Sequence, residues 1–373
     1  MYPPMPEESP ASDDSLTCAD VYRTIRVREG LSFDIALDAA AGDVFSRAFA
    51  QGQYPSDHLT DLMFQLVQRG DTVLDLGAHV GTFSLAAAAL GCRVLAVEAS
   101  PSNVALLEKS VSRNGFENMR VVPAAVGDRA GVVQFIPDGP FGVVCAPSAN
   151  RPSVLVRAVT VDQLLADIGW QQVDFIKMDV EGSEIAAVRG MARLLARPDA
   201  PPIIYESNGH TLGLFGQTIN QLKRSLEQFG YRNYLVESGR LMPVRARDLQ
   251  PLVVIDYLAA KRWPSRLTGW PIRGRLSRAE LLERMVAACA HPHEHWRAHA
   301  ARQLQNAPGW LLAEPAVCSG LAALRNDTQA EVRAAAAWSI NHKARSIAPF
   351  FRKVNHLRQG FERRLVRWLR RGA

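Results

Sequence analysis

The sequence predicts an α/β fold with a mostly parallel sheet, followed by an all-helical extension. Between residues 72 and 258, short apolar runs of strand-forming residues alternate with helical patterns, and glycine turns separate several of them. Such alternation is typical of a fold in which helices cover both faces of a parallel sheet. The functional site of such a fold lies at the carboxyl ends of the strands. After residue 275 only helical periodicity remains.

The composition is that of a globular protein of two or three domains: 373 residues, 47% hydrophobic and 21% charged, with a net charge of +6. No run approaches about 18 apolar residues, so no membrane-spanning helix is expected. Residues 1–16 are proline-rich and acidic, lack the pattern of a signal peptide and are expected to be disordered. Five cysteines without metal-binding spacing indicate reduced thiols, hence a cytoplasmic protein.

The first elements expected are a hairpin over 17–35 and a helix over 56–69 with Ser56 as its cap. A buried strand, Thr72 to Leu76, then leads through a glycine turn into an alanine-rich helix that ends before Gly91. This arrangement is expected to present free backbone N–H groups at the start of that helix.

The spacing of the glycine turn indicates which ligand it suits. A dinucleotide-binding turn has the pattern G-x-G-x-x-G, whereas here Asp75-x-Gly77 is followed by Gly81 with no middle glycine. An acid at position 75 disfavours a pyrophosphate and favours a cationic ligand. The next strand, 93–99, carries Glu98, at about the distance where a carboxylate binds a ribose diol. The alternative is an ordinary βα turn of another α/β domain.

The remaining elements follow the same alternation. Ser100 and Ser183 are expected to cap the helices that follow them, the second of which extends to Leu195. The other elements expected are a strand over 119–126, an antiparallel strand over 132–136, a strand over 154–161, a helix over 161–168, strands over 175–178 and 201–206, a helix over 217–229, and strands over 233–237 and 251–258.

Acidic residues end these strands, namely Asp75, Glu98, Asp128, Asp179 and Glu206. Because the carboxyl ends of parallel strands meet at one edge of the sheet, these side chains are expected to share one cleft. Carboxylates gathered on one rim are difficult to explain as ordinary solvated surface.

Residues from about 20 to 260 resemble the FkbM family of S-adenosylmethionine-dependent methyltransferases. The segments that carry the resemblance are LDLGAHVGTFS (74–84), AVEASPSN (96–103), NGFENMRVVPAAVGD (114–128), TVDQLL (160–165) and DFIKMDVEGSEIAAVRG (174–190). The sequence departs from the family at His79, where the family usually has Asn.

The resemblance implies a Rossmann-like class I methyltransferase fold. It also implies transfer of a methyl group to a hydroxyl oxygen of a sugar, a surface glycan or a polyketide-type metabolite. Glu98 would bind the ribose hydroxyls, Asp128 would lie near the adenine, and Asp179 would lie near the methionine moiety and the acceptor. The full set of residues expected at S-adenosylmethionine is Asp75, Gly77, Ala78, His79, Gly81, Thr82, Glu98, Ala99, Asp128 and Asp179.

An alcohol must lose its proton as it accepts a methyl group, and a general base adds about 10²–10⁴-fold to such a rate. The candidates for this base are Asp179, Glu181 and His210, the last in a loop that follows a strand end. No cluster in the sequence has metal-ligand spacing, so no metal is expected. Two other functions remain open: a nicotinamide-dependent oxidoreductase, which would need the missing glycine, and a helical-repeat scaffold with a degenerate Rossmann-like domain.

The expected domain boundaries place the methyltransferase at 17–262 and a linker at 263–275. Residues 276–345 resemble two HEAT-like helical repeats, because Arg297 and Arg333 occupy equivalent positions 36 residues apart. The histidines of the first repeat are expected to be solvated: His291, His293, His295 and His299.

The last segment, 346–373, is predicted to be a basic amphipathic helix. From residue 350 onward it combines an apolar stripe that includes Trp368 with many arginines, which fits an anionic membrane surface better than nucleic acid. The alternative is a terminal helix that docks on its own domain. The expected partners are therefore a small-molecule or glycan acceptor and the inner face of a membrane.

Overall fold

The structure is a computed structural model, and it describes residues 21–38, 49, 58–137, 142–145, 152–237, 239–250, 252–304, 306–337 and 339. Several expectations lie outside these residues: the disordered N-terminus 1–16, the cap Ser56 and the basic helix 346–373.

The described elements alternate as the sequence predicts. The strands are β1 Val21–Arg28, β2 Leu31–Leu37, β3 Thr72–Leu76, β4 Arg93–Glu98, β5 Met119–Pro123, β6 Ala125–Val126, β7 Gly131–Ile136, β8 Val143–Cys145, β9 Val154–Val159, β10 Phe175–Met178, β11 Ile203–Asn208, β12 Arg232–Glu237, β13 Arg240–Val244 and β14 Val254–Ala260. The helices are α1 His58–Leu66, α2 Thr82–Leu90, α3 Pro101–Asn114, α4 Val161–Asp167, α5 Glu184–Gly190, α6 Ala192–Ala196, α7 Gly209–Leu214, α8 Ile219–Glu227, α9 Arg278–Cys289, α10 Glu294–Leu304, α11 Gly309–Leu312 and α12 Pro315–Arg325.

An eight-stranded sheet forms the centre of the molecule, with the order β13-β12-β14-β11-β10-β3-β4-β5. Strands β5, β4, β3, β10 and β11 run parallel, whereas β14 pairs antiparallel with both β11 and β12. Every residue of β3 is buried because helices cover both faces of the sheet. The predicted α/β fold with a mostly parallel sheet is confirmed.

Two smaller sheets accompany the large one. Strands β1 and β2 form the predicted hairpin, which packs on α3 through a bond from the backbone N–H of Ala36 to the hydroxyl of Ser110 (2.9 Å). Strands β6, β9, β7 and β8 form a four-stranded sheet. The single strand expected over 119–126 is divided at Ala124, whose N–H donates to the carbonyl of Glu98 (2.9 Å), so the chain passes from the large sheet to the small one.

Apolar side chains fill both faces of the large sheet. On one face, Phe175 of β10 packs with Leu62 and Leu85 of the helices α1 and α2. On the other, Ile176 of β10 packs with Ile185 and other residues of the helices α4 to α8. Alternate residues of one strand therefore pack against helices on opposite faces of the sheet, because successive side chains of a strand point to opposite sides.

Neither Ser100 nor Ser183 caps its helix with a side-chain hydrogen bond. Before α3, the N–H of Ser100 instead donates to the Glu98 carboxylate (2.8 Å), and Pro101 occupies the first helical turn. Before α5, Ser183 has a backbone ψ of 8°, and the Glu184 carboxylate accepts from the N–H of Gly182 (3.0 Å). Both carboxylates bind N–H groups that precede the helix, not the N–H groups of the first turn that a serine cap would bind. The expected helix from 183 to 195 is divided at Met191.

The stretch predicted to be a linker, 263–275, packs along the large sheet. Leu267 and Trp270 are buried in its core, and Arg266 forms an ion pair with Asp71 at 2.5 Å. Leu241 of β13 exchanges backbone hydrogen bonds with the stretch, donating to Pro271 and accepting from Arg273. These contacts connect the helical region to the sheet without a free spacer.

The C-terminal helices α9 to α12 and the helical residues 330–337 have a core of their own. Within it, Arg297 donates to the carbonyls five and six residues before it, those of Pro292 and His291. Arg333 does the same with the carbonyls of Thr328 and Asp327. The 36-residue repetition of the sequence therefore has a structural counterpart, while its assignment to the HEAT class stays a prediction.

Among the described residues, none of the helices combines the length and the apolar character needed to cross a bilayer.

Candidate functional site

A cavity of about 580 Å³, counting its open mouth, lies at the carboxyl ends of the parallel strands. Its lining includes six residues expected at the cofactor or in catalysis, together with polar and apolar residues from α3, β6, β7 and β8. Those six are Gly77, His79, Glu98, Ala99, Asp179 and Glu181.

The glycine loop after β3 has its backbone donors paired inside the protein. The N–H groups of Gly77 and Ala78 both donate to the carbonyl of Val97 (2.9 and 3.0 Å), and the N–H of His79 donates to Glu98 (2.7 Å). These three N–H groups of the loop are therefore not free, because β4 supplies their acceptors, while the expectation of free N–H groups at the start of α2 stays a prediction. A pyrophosphate requires such donors, so the loop does not suit a dinucleotide.

Glu98 joins the loop to the wall of the cavity. Its carboxylate is buried and accepts hydrogen bonds from His79 and from the N–H of Ser100 (2.8 Å), while Asn103 also bonds to it. Burial raises the pKa of Glu98, and these bonds oppose that rise. A carboxylate offers about four acceptor places and three are used, so Glu98 can still accept a bond from a ligand hydroxyl.

His79 adopts a left-handed backbone conformation, with φ of 52°. Asn adopts this conformation more readily than most residues do, and the family usually has Asn at this position. The turn retains its conformation because Glu98 binds its N–H group and because Gly77 fits beside Asp179, where a Cβ would overlap the Asp179 carbonyl oxygen.

Lys177 connects the loop to the acid at the end of the neighbouring strand. Its ammonium donates to the carbonyl of Gly77 (2.8 Å) and lies 3.6 Å from Asp75 and 3.3 Å from Asp179. Burial lowers the pKa of Lys177, but the two carboxylates outweigh burial and hold that pKa above its ordinary value.

Asp75 itself is 0% exposed and accepts a bond from Ser84 (2.5 Å). Burial raises the pKa of Asp75, which Lys177 opposes. Asp75 therefore supports the loop from behind and does not line the cavity.

Three carboxylates crowd together at the ends of β10 and β11. Asp179, Glu181 and Glu206 each have a carboxylate oxygen within 4.8 Å of the others. Burial and the charge of Asp179 raise the pKa values of Glu181 and Glu206 well above the ordinary range. Glu181 occupies a left-handed turn (φ 45°) that Gly182 continues (φ 93°). This turn brings the Glu181 side chain to the cavity wall.

The structure does not bring all the expected residues into the cavity. Asp128 lies outside it, 3.3 Å from Arg129 and 4.0 Å from Arg189, because the chain has already joined the small sheet at this point. Gly81 starts α2 in a left-handed conformation and packs on Leu107. Ala78 is buried, and Thr82 begins α2; neither of them is among the residues that line the cavity.

His210 is also absent from the cavity lining. Its N–H donates to the side chain of Asn208 (3.0 Å), and its ring lies against the ring of His295, with centroids 3.7 Å apart. Burial lowers the pKa of His210. Asn208 is the residue that reaches the acids, donating to Glu181 (3.4 Å).

The expectation that the four histidines of α10 and its preceding turn are solvated is wrong for His299, whereas the side chain of His295 is 41% exposed. His299 is buried and donates to the carbonyl of Gln250 (2.8 Å). Burial lowers the pKa of His299 to about 4. The region after residue 277 packs on α7, so a face that would be exposed in an isolated repeat is covered here.

Sequence reasoning missed Lys177, Asn103 and the apolar wall formed by residues 124–126 with Phe135 and Val144. A signal for Lys177 was present, since a lysine in the middle of a buried strand requires a buried acid. In the parallel register, Lys177 stands beside Asp75. Asn103 and the apolar wall carry no comparable signal, because they belong to the cavity only through the packing of α3 and the small sheet.

Together the sheet and the cavity define a Rossmann-like α/β domain with a cavity at the carboxyl ends of its strands, followed by a C-terminal helical region. Residues 75–233 match the family model described as the methyltransferase FkbM domain. The predicted fold class and the predicted cofactor, S-adenosylmethionine, are confirmed. The cavity fits that cofactor, since it offers a carboxylate for ribose hydroxyls and lacks an anion-binding loop.

Among curated proteins, this chain is similar to a ribosomal protein L11 methyltransferase of Chloroflexus aurantiacus. The two are 39% identical over 77 residues, which is 20% of this chain and 24% of the relative. The match therefore spans about a quarter of the relative's length.

Among solved structures, the chain is similar to a TehB-like SAM-dependent methyltransferase of Corynebacterium glutamicum, with 16% identity and a TM-score of 0.37, covering 58% of this chain and 94% of the other. It is also similar to a precorrin-6y C5,15-methyltransferase of Geobacter metallireducens, with 16% identity and a TM-score of 0.34, covering 57% and 90%.

Proposed function

We propose that this protein is an S-adenosylmethionine-dependent O-methyltransferase. Its acceptor is a hydroxyl group of a sugar, a glycan or a polyketide-type metabolite. The observation that carries the proposal is the presence of Glu98, Asp179 and Glu181 in the lining of one cavity beside a glycine loop whose donors are already paired.

Each acid has a distinct task in the proposal. Glu98 accepts bonds from the ribose hydroxyls, and Asp179 faces the cationic methionine end of the cofactor. Glu181 takes the proton of the acceptor hydroxyl, because a base works best when its pKa is near the working pH and burial raises the pKa of Glu181. The Asp179 carboxylate is already paired with the Lys177 ammonium at 3.3 Å. His210 has no part in this mechanism.

The cofactor supplies an electrophilic methyl group on a sulfonium. The chain's contribution is to hold the acceptor oxygen in line with the departing sulfur, and such positioning lowers the barrier substantially. A carbon–oxygen bond forms as the carbon–sulfur bond breaks, and the hydroxyl proton passes to the Glu181 carboxylate.

The experiment that tests this function combines calorimetry with a transfer assay. The full chain is titrated with S-adenosylmethionine and, separately, with NAD, and then incubated with methyl-labelled cofactor and extracts of glycans and secondary metabolites. The expected result is binding of S-adenosylmethionine alone and label in a methyl ether that resists base hydrolysis. Absence of cofactor binding, or label found on protein amino groups, would contradict the proposal.

The proposal extends to location and to residues 350–373, which lie outside the described residues. The apolar stripe of this segment and the arginines around it support attachment to anionic lipid at the cytoplasmic face of a membrane, near lipid-linked glycans. Co-sedimentation with vesicles containing anionic lipid, compared with neutral vesicles, tests it. Equal recovery with both vesicle types would refute the attachment.

A further inference from the structure

Side chains from three helical segments meet outside the cavity. His210 of α7 and His295 of α10 lie with their ring planes 30° apart, and Glu331, in the helical residues 330–337, faces both. The Nδ1 atom of His210 lies 3.9 Å from one carboxylate oxygen of Glu331, and the Nδ1 atom of His295 lies 3.3 Å from the other.

The two Nδ1 atoms are buried and have no hydrogen-bond partner. Their contacts with Glu331 have the separation of an ion pair but not the alignment of a hydrogen bond. A buried polar atom without a hydrogen-bond partner costs about 1–3 kcal/mol, and two such nitrogens that face one carboxylate can share a cation with it.

The separations match those within a zinc site. Zinc bonds to histidine nitrogen are about 2.0–2.1 Å, so two ligands of a tetrahedral ion lie about 3.3 Å apart. The Glu331 distances of 3.3 and 3.9 Å are at or slightly above this value, and the three ligand atoms all lie within 4.8 Å of one another. The two imidazole rings now lie nearly face to face, with planes 30° apart, so they must rotate for both Nδ1 atoms and Glu331 to reach bonding distance of one ion.

The surroundings also suit an ion. The Glu331 side chain is 41% exposed, so the cluster is open to solvent on one side. Arg302 lies 3.4 Å from the oxygen of Glu331 that faces His210, and thereby orients the carboxylate. A ligand set of two imidazoles and one carboxylate favours zinc and similar transition metals over magnesium or calcium, which prefer oxygen ligands.

We propose that His210, His295 and Glu331 form a binding site for Zn²⁺ or a chemically similar divalent transition metal. The ion holds the helical region against α7. It also fixes the segment that leads from β11 into α7, in which Asn208 contacts Glu181 at the cavity. The site is thus structural and separate from the acids that line the cavity.

Calorimetric titration of the untagged, chelator-treated full chain with zinc chloride tests this. The expected result is a site of about one equivalent, with Mg²⁺ failing to compete for it. His295→Gln and His210→Gln, which lie on different helices, are each expected to weaken binding by about 100-fold or more, since even partners of metal ligands contribute about 10–100-fold. Zinc is also expected to raise the melting temperature of the wild-type chain and not that of either variant.

His293→Ala is the matched control, because it removes a histidine two residues from His295 that is not part of the cluster. Its zinc affinity is expected to equal that of the wild type. Circular dichroism of both Gln variants at zero zinc shows whether they fold. Failure of the wild type to bind zinc, or zinc binding retained by both folded Gln variants, would overturn the proposal.

Discussion

The ammonium of Lys177 lies 3.6 Å from the carboxylate of Asp75, which has no exposure to solvent. The two residues are direct partners in the register of β10 and β3. A buried acid in the middle of a sheet is tolerated when a cation stands beside it, and here the same cation also binds the glycine loop through the carbonyl of Gly77.

Lys177→Met is expected to destabilise the fold by about 3–5 kcal/mol, because it leaves the Asp75 charge buried without a partner. Asp75→Asn in the Lys177→Met background is expected to recover part of this loss. Urea denaturation of the wild type, both single variants and the double variant gives the coupling energy, expected to be about 1–3 kcal/mol. Strictly additive losses would show that the two residues act independently.

Glu184 provides a prediction about pH. Burial raises its pKa from 4.5 to about 7 in the folded chain. Below pH 4.5 it is protonated in both states. Between pH 4.5 and about 7 the folded state retains a proton that the unfolded state releases, so the contribution of Glu184 to stability falls as pH rises and is constant above that window.

Glu184→Gln removes this dependence. The free energy of unfolding of the variant, relative to the wild type, is therefore expected to rise by about 3 kcal/mol between pH 4.5 and pH 8. Chemical denaturation at both pH values measures it, and the exposed Glu108→Gln is the control. A difference that does not change with pH would contradict the assignment.

Glu98→Gln is expected to weaken binding of S-adenosylmethionine by about 10–100-fold. A hydrogen bond to a charged group contributes about 1.5–3 kcal/mol, and the amide also places a donor against the N–H of His79 or Ser100. Calorimetry measures the affinity, with Glu108→Gln again as the control. Unchanged affinity in a folded variant would remove Glu98 from the cofactor site.

Much of this site could be predicted because parallel strands deliver their last residues to one edge. From that rule Glu98 and Asp179 are expected in one cleft, and both line the same cavity. It failed for Asp128, since the chain changes sheets at Ala124 and hydrophobic periodicity continues through that change. The rule also cannot say whether a strand acid faces the ligand or supports the loop, as Asp75 does.

The surroundings of His210 could not be predicted for a different reason. His295 and Glu331 are distant in sequence and reach His210 only because the C-terminal helices pack on α7. Amphipathic patterns show that a helix has a buried face but do not identify which element covers it. Contacts between domains therefore required the structure.

The two equivalent arginines of the helical region differ in what else they bind. Arg297 also forms a two-point ion pair with Asp327 (2.7 and 3.1 Å), whereas Arg333 binds backbone carbonyls on the exposed side. Arg297→Met is expected to cost about 1.5–3 kcal/mol and Arg333→Met clearly less. Hydrogen exchange of residues 278–337 in the full chain measures both, and equal loss of protection would contradict this ranking.

Substitutions of Asp179 and Glu181 are expected to affect different quantities, cofactor affinity for the first and kcat for the second. Glu181→Gln is expected to lower kcat by about 10²–10⁴-fold with little change in cofactor affinity, because a general base acts in the reaction and not in binding. Asp179→Asn is expected to weaken cofactor binding, since it removes a charge that faces the sulfonium.

Wild-type turnover is expected to rise with pH as Glu181 loses its proton. This rise is expected at a higher pH than for an ordinary glutamate, because the pKa of Glu181 is raised. Rapid-quench assays with labelled cofactor, together with calorimetry, distinguish the two roles. If Glu181→Gln retains full turnover while Asp179→Asn loses it at saturating cofactor, the base is Asp179, whose pairing with Lys177 would then have to break in the complex with acceptor.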